Sequence, residues 1–181
     1  MTQGIDPLAA LFGQMAAAGP QGVTGNGIKV EGEYVVRVKE TKGHKGYHGN
    51  KFIIEFEVLE SSTPNEVPVG STRSASLKWG DTKALADLKA FGLAAWHSEL
   101  SAFPEQQRGL FVSFAVHAMA GSELAGEAAN IARQQLGQLG QKPDLFAGRI
   151  VRVSTKPRVS KPPANNPYTV YLWNAYEPKA G

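Results

Sequence analysis

The sequence predicts a mainly β fold with a helical insert, which belongs to the α+β class. Three segments before residue 80 alternate apolar with polar residues, as half-buried strands do. Between residues 81 and 140 most apolar residues recur at helical spacing instead. Two more alternating segments follow after residue 145. The 181 residues are enough for one domain with its own core.

The first three predicted strands precede residue 80. In EGEYVVRVKE (31–40), valines alternate with arginine and lysine. NKFIIEFEVLES (50–61) is the clearest strand, because an apolar residue occupies every second position from Phe52 to Val58. GSTRSASLKW (70–79) alternates small polar residues with larger ones. The Gly-rich segment KETKGHKGYHGNK (39–51) is expected to be the loop of a long, curved hairpin.

The helical region is predicted to begin after Asp81, a suitable N-cap for TKALADLKAFGLAAW (82–96). Residues 101–140 form a helical insert, in which Pro104 suits a first helical turn. Within it, GLFVSFAVHAM (109–119) also alternates as a strand would, but the helix is favoured.

The last two strands are predicted in FAGRIVRVSTK (146–156) and NPYTVYLWNAYEP (166–178). The connection between them is rich in proline, asparagine and basic residues, which disfavour a helix.

The chain is expected to form one domain over residues 29–178, which includes the insert at 101–140. Residues 1–28 are expected to be a flexible N-terminal segment with a short amphipathic helix near residues 7–18. Residues 179–181 would be a short tail.

Five short strands with a helical region between the third and the fourth match the five-stranded Greek-key OB-type barrel. In that barrel the loop between strands one and two and the loop between strands four and five flank one ligand face. Both loops are basic here. Residues 142–161 hold six lysines and arginines against one acid, whereas the net charge of the whole chain is only +3. Two basic loops beside one face predict a nucleic-acid interface.

Composition excludes several other classes of protein. The chain has no cysteine and therefore no disulfide or thiolate chemistry, which suits a reducing, cytoplasmic location. It has no run of eighteen apolar residues, so no membrane span is expected. The N-terminus has no basic cluster before its apolar part and does not fit a secretory signal.

Motifs for enzyme or cofactor chemistry are missing from the sequence. His44 and His48 lie in a Gly-rich segment that gives them no shared helical face, so no metal site is expected. GHKGYHGNK has the glycines of a phosphate loop but lacks its Lys-Ser/Thr pair. No nucleophile motif of the G-x-S-x-G type occurs. We therefore expect a protein without a cofactor that is not an enzyme.

The segments GEYVVRVKETKG, KFIIEFEVLES, PVGSTRSASLKW, FAGRIVRVSTKPR and NPYTVYLWNAYEP resemble the phage-encoded OB-fold single-stranded DNA-binding proteins. The resemblance covers residues 32–98 and 145–178. It implies that the chain coats exposed single strands during DNA replication, recombination or repair, with phage or host replication proteins as partners. The chain ends in EPKAG, whereas many such proteins end in an acidic tail that recruits partners.

The expected nucleic-acid contacts are cationic and aromatic side chains on the polar strand faces and in the two loops. They are Arg37, Lys39, Lys42, Lys45, Tyr47, Lys51, Lys78, Trp79, Arg152, Lys156, Arg158, Lys161, Tyr168 and Trp173. Tyr47 either stacks on a base or packs back onto the sheet, and the aromatic residues within strands either stack or belong to the core. Glu55 and Glu57 oppose this interpretation, because they share a strand face with Lys51.

The alternative is a virion or assembly component built on an OB-like barrel. In that case the helical insert, rich in alanine, glutamine and leucine, would be a surface for homo-oligomerisation or for a protein partner.

Overall fold

The computed structural model describes residues 26–178 of the chain. Its five strands are β1 (Gly32–Gly46), β2 (Gly49–Ser61), β3 (Thr72–Lys78), β4 (Ile150–Val159) and β5 (Pro167–Ala175). They form one antiparallel sheet in the order β3-β2-β1-β4-β5. Between β3 and β4 lie the helices α1 (Thr82–Ala95), α2 (His97–Leu100), α3 (Glu105–Ala125) and α4 (Glu127–Gln135) and a 3-10 helix (Gly137–Gln141). The α+β class and the position of the helical region are confirmed.

The core lies between the sheet and the helices. Every second residue of β2 from Phe52 to Val58 is fully buried, as the alternation predicts. Phe91 of α1 packs against Phe146 and Trp173, with ring centroids 5.0 Å apart in both pairs. This aromatic cluster joins α1 to β5 and to the loop before β4.

The helix boundaries follow local chemistry. Asp81 caps α1, and its carboxylate accepts a hydrogen bond of 2.8 Å from the backbone N–H of Lys83. Residues 109–119, which also alternate as a strand would, lie inside α3, so the preference for helix is confirmed. Near its end α3 is kinked at Gly121, whose φ of 73° favours glycine.

The segment 39–51 is not a loop, and that prediction is wrong. β1 runs to Gly46 and β2 starts at Gly49, so only Tyr47 and His48 form the turn. Two contacts along β1 favour the strand. A Cβ on Gly43 would overlap the carbonyl oxygen of Ala120 in α3, so glycine allows the strand to lie directly against the helix. Thr41 is held by the carboxylate of Asp144.

A segment before β1, residues 26–30, connects the two edge strands of the sheet, and we name it the strap. The backbone N–H of Ser74 in β3 donates to the Asn26 carbonyl oxygen, at 3.1 Å. On the other side the Thr169 hydroxyl of β5 donates to the Ile28 carbonyl oxygen, at 2.6 Å. Ile28 is fully buried, so the packed structure begins before Lys29, earlier than the sequence predicts.

The helix expected near residues 7–18 and the tail at 179–181 lie outside the described residues. Within residues 26–178, no helix is both long enough and apolar enough to cross a membrane.

Candidate nucleic-acid interface

A groove of about 430 Å³ opens between the β2–β3 edge of the sheet and the end of the β4–β5 hairpin, with the strap between them. Residues from five segments line it: Gly27, Ile28, Lys29, Lys51, Ser74, Ser76, Lys78, Pro157, Arg158, Pro167, Tyr168, Thr169 and Tyr171. β3 and β5 do not pair, and the groove lies where they are separated. We refer to these residues as the groove.

The charges of the groove all have one sign. Lys29, Lys51, Lys78 and Arg158 line it, and none of its lining residues is an aspartate or a glutamate. Lys51 on β2 lies directly opposite Lys78 on β3 in the sheet register. A concave surface with several cations and no acid attracts anions, because each positive charge strengthens the potential of the others.

Apolar and aromatic groups form the other wall of the groove. Tyr168 lies opposite Arg158 on the paired strands β5 and β4, and 45% of its surface is exposed. Pro157 and Pro167 add rigid apolar surface beside it. A half-exposed ring next to a guanidinium group is a platform on which a nucleic-acid base can stack.

Tyr171 lies at the base of the groove and connects it to the strap. Its hydroxyl accepts a hydrogen bond of 2.9 Å from the Ile28 N–H and donates to the Ser74 carbonyl oxygen at 3.5 Å. Burial raises the pKa of the Tyr171 phenol above its ordinary value, because the phenolate would lose its hydration. Tyr171 therefore remains a neutral donor that ties β5 to β3.

Two hairpin turns carry further exposed side chains that do not line the groove. The β1–β2 turn carries Tyr47, which is 100% exposed and meets only the edge of the His48 ring among the aromatic pairs of the described residues. The alternative in which Tyr47 packs back onto the sheet is therefore wrong. Lys45 is exposed just before this turn, and Lys161 is exposed in the β4–β5 connection. These three side chains are accessible to a ligand in solution.

Other predicted contacts lie among acids, on what we call the mixed-charge surface: Arg37, Lys42 and Arg152 with Glu33, Glu40, Glu57 and Glu60. Arg37 pairs with Glu57 at 3.6 Å, and Lys42 pairs with Glu40 at 3.1 Å. Arg152 lines a small polar depression together with Glu33 and Glu60. The acids offset much of the positive charge, so these three residues are poor candidates for binding a polyanion.

Lys39 and Lys156 are exposed but do not line the groove. Lys39 is the bulged residue of β1, and its ammonium group donates to the Thr72 hydroxyl at 3.4 Å. Lys156 shares a face of β4 with Arg152, on alternate positions of the strand.

The two predicted tryptophan contacts need a correction. Trp173 is only 6% exposed, and its ring packs against Phe56 and Phe91 in the core, so it is not available to stack on a base. Trp79 is half-buried, where it stacks on Phe52 and meets the His117 ring at 5.5 Å. Both rings serve packing, because alternation placed them on the face of the sheet that the helices cover.

Asp144 fixes the base of the β1–β2 hairpin. Its carboxylate accepts hydrogen bonds from the Thr41 N–H at 2.6 Å and from the Thr41 hydroxyl at 3.0 Å. The N–H groups of Phe146 and Ala147 donate to the same carboxylate at 2.8 and 3.1 Å. The hairpin is thus anchored to the loop before β4, while its turn stays exposed.

The groove unites four of the fourteen predicted residues: Lys51 on β2, Lys78 on β3, Arg158 on β4 and Tyr168 on β5. Lys29 was not among the predicted contacts, because the residues before it were expected to form a flexible segment. The sequence alone does not decide whether Tyr171 stacks on a base or packs in the core. The alternation from Ile28 to Val30 was the available signal for the strap, but three residues are too few to predict a pairing.

No group of three or more potential metal ligands occurs among residues 26–178. No protein-family model matches the chain, and no curated protein is significantly similar to it in sequence.

Proposed function

We propose that the protein binds single-stranded DNA in the groove, largely independently of base sequence. The observation that carries this proposal is the acid-free set of four cations facing Tyr168 between the two hairpins. Lysine and arginine attract the phosphates at any sequence, and a tyrosine ring stacks on any base. Tyr47, Lys45 and Lys161 extend the path of the strand on both sides.

The proposed fold behind this function is an OB-type Greek-key barrel. Support comes from the strand order β3-β2-β1-β4-β5, in which β1 pairs with both β2 and β4, and from the helices between β3 and β4. The strap would close the barrel, because it hydrogen-bonds to β3 on one side and to β5 on the other. A ligand then lies across the closure, between the first and the last hairpin.

The biological role follows from the binding mode and from the resemblance. A protein that holds single strands through phosphates and stacking protects them from nucleases and from re-annealing. We propose that role in phage DNA replication, recombination or repair, in the cytoplasm of the host and without catalysis.

The test is a titration of a fluorescently labelled dT oligonucleotide, followed by anisotropy at 50 and 200 mM salt, with a blunt duplex of equal length as control. Contacts with about five phosphates should weaken binding roughly a hundredfold between the two salt concentrations. The duplex should bind much more weakly. Absence of binding to the single strand at 50 mM salt would refute the proposed function.

A second candidate function, a virion or assembly component, is favoured by exposed apolar side chains on the helical insert. Phe103, Leu110 and Ile131 are each about half exposed. Such side chains fit a protein partner or a second copy of the chain. Light scattering shows whether the chain assembles by itself, and a protein of this class would bind the dT oligonucleotide at neither salt concentration.

A further inference from the structure

Two lysines meet on the β2–β3 wall of the groove. Lys51 and Lys78 are direct cross-strand partners, and such pairs have Cβ atoms about 4.5–5.5 Å apart. Like charges at this separation destabilise a sheet. Neither lysine belongs to an ion pair within residues 26–178, whereas Arg37 and Lys42 on the mixed-charge surface both do. The free protein thus keeps an unfavourable pair that a bound anion would neutralise.

Hydroxyl groups continue this wall along β3. Ser76 and Ser74 occupy the alternate positions before Lys78, so their side chains leave the strand on the same face. Ser76 is exposed beside Lys78, whereas the Ser74 hydroxyl is buried and shielded from solvent. The Ser76 hydroxyl can therefore donate a hydrogen bond to an anion on this wall.

The acids of the same sheet face lie farther along β2. Glu55 is opposite Ser74 and does not line the groove. It lies four residues along β2 from Lys51, so the Cα atoms of Glu55 and Lys51 are about 13 Å apart. Across the groove stand Lys29 and Arg158, which add to the positive potential.

From this geometry we propose that Lys51 and Lys78 together hold one phosphate group of the DNA strand, with the exposed Ser76 hydroxyl as a neutral donor. This phosphate subsite rests on the proposed function and deepens it. It fixes the register of the strand, because one backbone phosphate sits on the β2–β3 wall and the adjoining base extends toward Tyr168. The ligand class is a phosphodiester, and a free phosphate ion shares its chemistry.

The test compares the salt dependence of dT oligonucleotide binding for the wild type, the double variant Lys51→Ala/Lys78→Ala, and Ser76→Ala. If both lysines share one phosphate, the slope of log K against log salt falls by about 0.7 in the double variant, and affinity at 50 mM salt falls about tenfold. Ser76→Ala weakens binding without changing the slope, because it removes a donor and no charge. An unchanged slope in the double variant overturns the subsite. A slope that falls by about 1.4 means that each lysine holds a separate phosphate, and it overturns the proposal that the two lysines share one.

Two thermal-unfolding measurements separate this proposal from the function on which it rests. Either single change, Lys51→Ala or Lys78→Ala, should raise the melting temperature of the free protein, because it removes the repulsion. Inorganic phosphate should raise the melting temperature of the wild type more than that of the double variant. If dT is not bound but this phosphate effect appears, the DNA function fails and the anion site stands. If dT is bound with the wild-type slope in the double variant, the function stands and the subsite fails.

Discussion

The groove and the mixed-charge surface present similar numbers of basic side chains on one small sheet, yet their surroundings differ. In the groove four cations stand without an acid among the lining residues. On the mixed-charge surface Arg37 and Lys42 pair with glutamates, and Arg152 lies beside two more. We therefore expect a basic residue of this sheet to contribute to an anion site only where folding leaves it without an acidic neighbour.

Charge reversal should produce the largest difference in DNA affinity between the groove and the mixed-charge surface. Replacing Lys51 and Lys78 by glutamate should reduce the affinity for a dT oligonucleotide about a hundredfold at 50 mM salt, because two charges that attract the shared phosphate become charges that repel it. The matched control reverses Arg37 and Lys42, and we expect less than about a threefold loss there. Anisotropy titrations of both double variants measure the difference. Equal losses would show that the acids on the mixed-charge surface do not matter.

Removing the anchor of the β1–β2 hairpin should lower stability more than binding. Asp144→Ala leaves the N–H groups of Thr41, Phe146 and Ala147 without their acceptor, and we expect the free energy of unfolding to fall by about 2 kcal/mol. Urea denaturation measures this change. Thr41→Val removes only the hydroxyl contact and should cost about 1 kcal/mol. Unfolding curves identical to the wild type would contradict the anchoring role.

The aromatic wall can be tested with two residues of equal exposure. Tyr168 and Leu172 both lie on β5 and are both 45% exposed, but only Tyr168 lines the groove. Tyr168→Ala should weaken dT binding about tenfold through loss of stacking, with the salt dependence unchanged. Leu172→Ala should bind like the wild type. A comparable loss in both variants would place the DNA elsewhere on the sheet.

The smallest predicted effect concerns pH and Tyr171. Because burial raises the pKa of this phenol, the folded state retains its proton longer than the unfolded state. The resulting stability is fully present below the ordinary tyrosine pKa and is lost as pH rises through the folded-state value. Urea denaturation between pH 9 and 11.5 should therefore show a steeper fall for the wild type than for Tyr171→Phe. Parallel curves would contradict the burial of the phenol.

The strands and the main helices were predictable because each packs one face against the core. The spacing of the apolar residues, every second residue in a strand or every third to fourth in a helix, indicates which face that is. Strand order and alternation also predicted that Lys51, Lys78, Arg158 and Tyr168 lie beside one groove. The sequence does not reveal which charges are paired, because pairing depends on the sheet register. From the sequence alone, Glu57 could pair either with Arg37 on the neighbouring strand or with Lys51 on its own strand.

The long-range contacts could not be predicted. Asp144 reaches Thr41 across 103 residues, and Thr169 reaches Ile28 across 141. Alternation indicates on which face of a strand a side chain lies, but it does not identify the contact partner on another element. The strap and the contact of Asp144 with Thr41 were therefore both missed. The glycines of the segment 39–51 were misleading for the same reason, since the close approach of α3 to Gly43 appears only in the folded chain.

The most direct test of the central claim, that a single strand lies in the groove, is photocrosslinking of a dT oligonucleotide that carries 5-iododeoxyuridine, followed by peptide mapping by mass spectrometry. Tyr168 at the groove and Tyr47 on the hairpin turn should form the main adducts, and the yield should fall on addition of salt. Adducts confined to peptides of the helical insert, or to the β4 peptide that contains Arg152, would contradict the account.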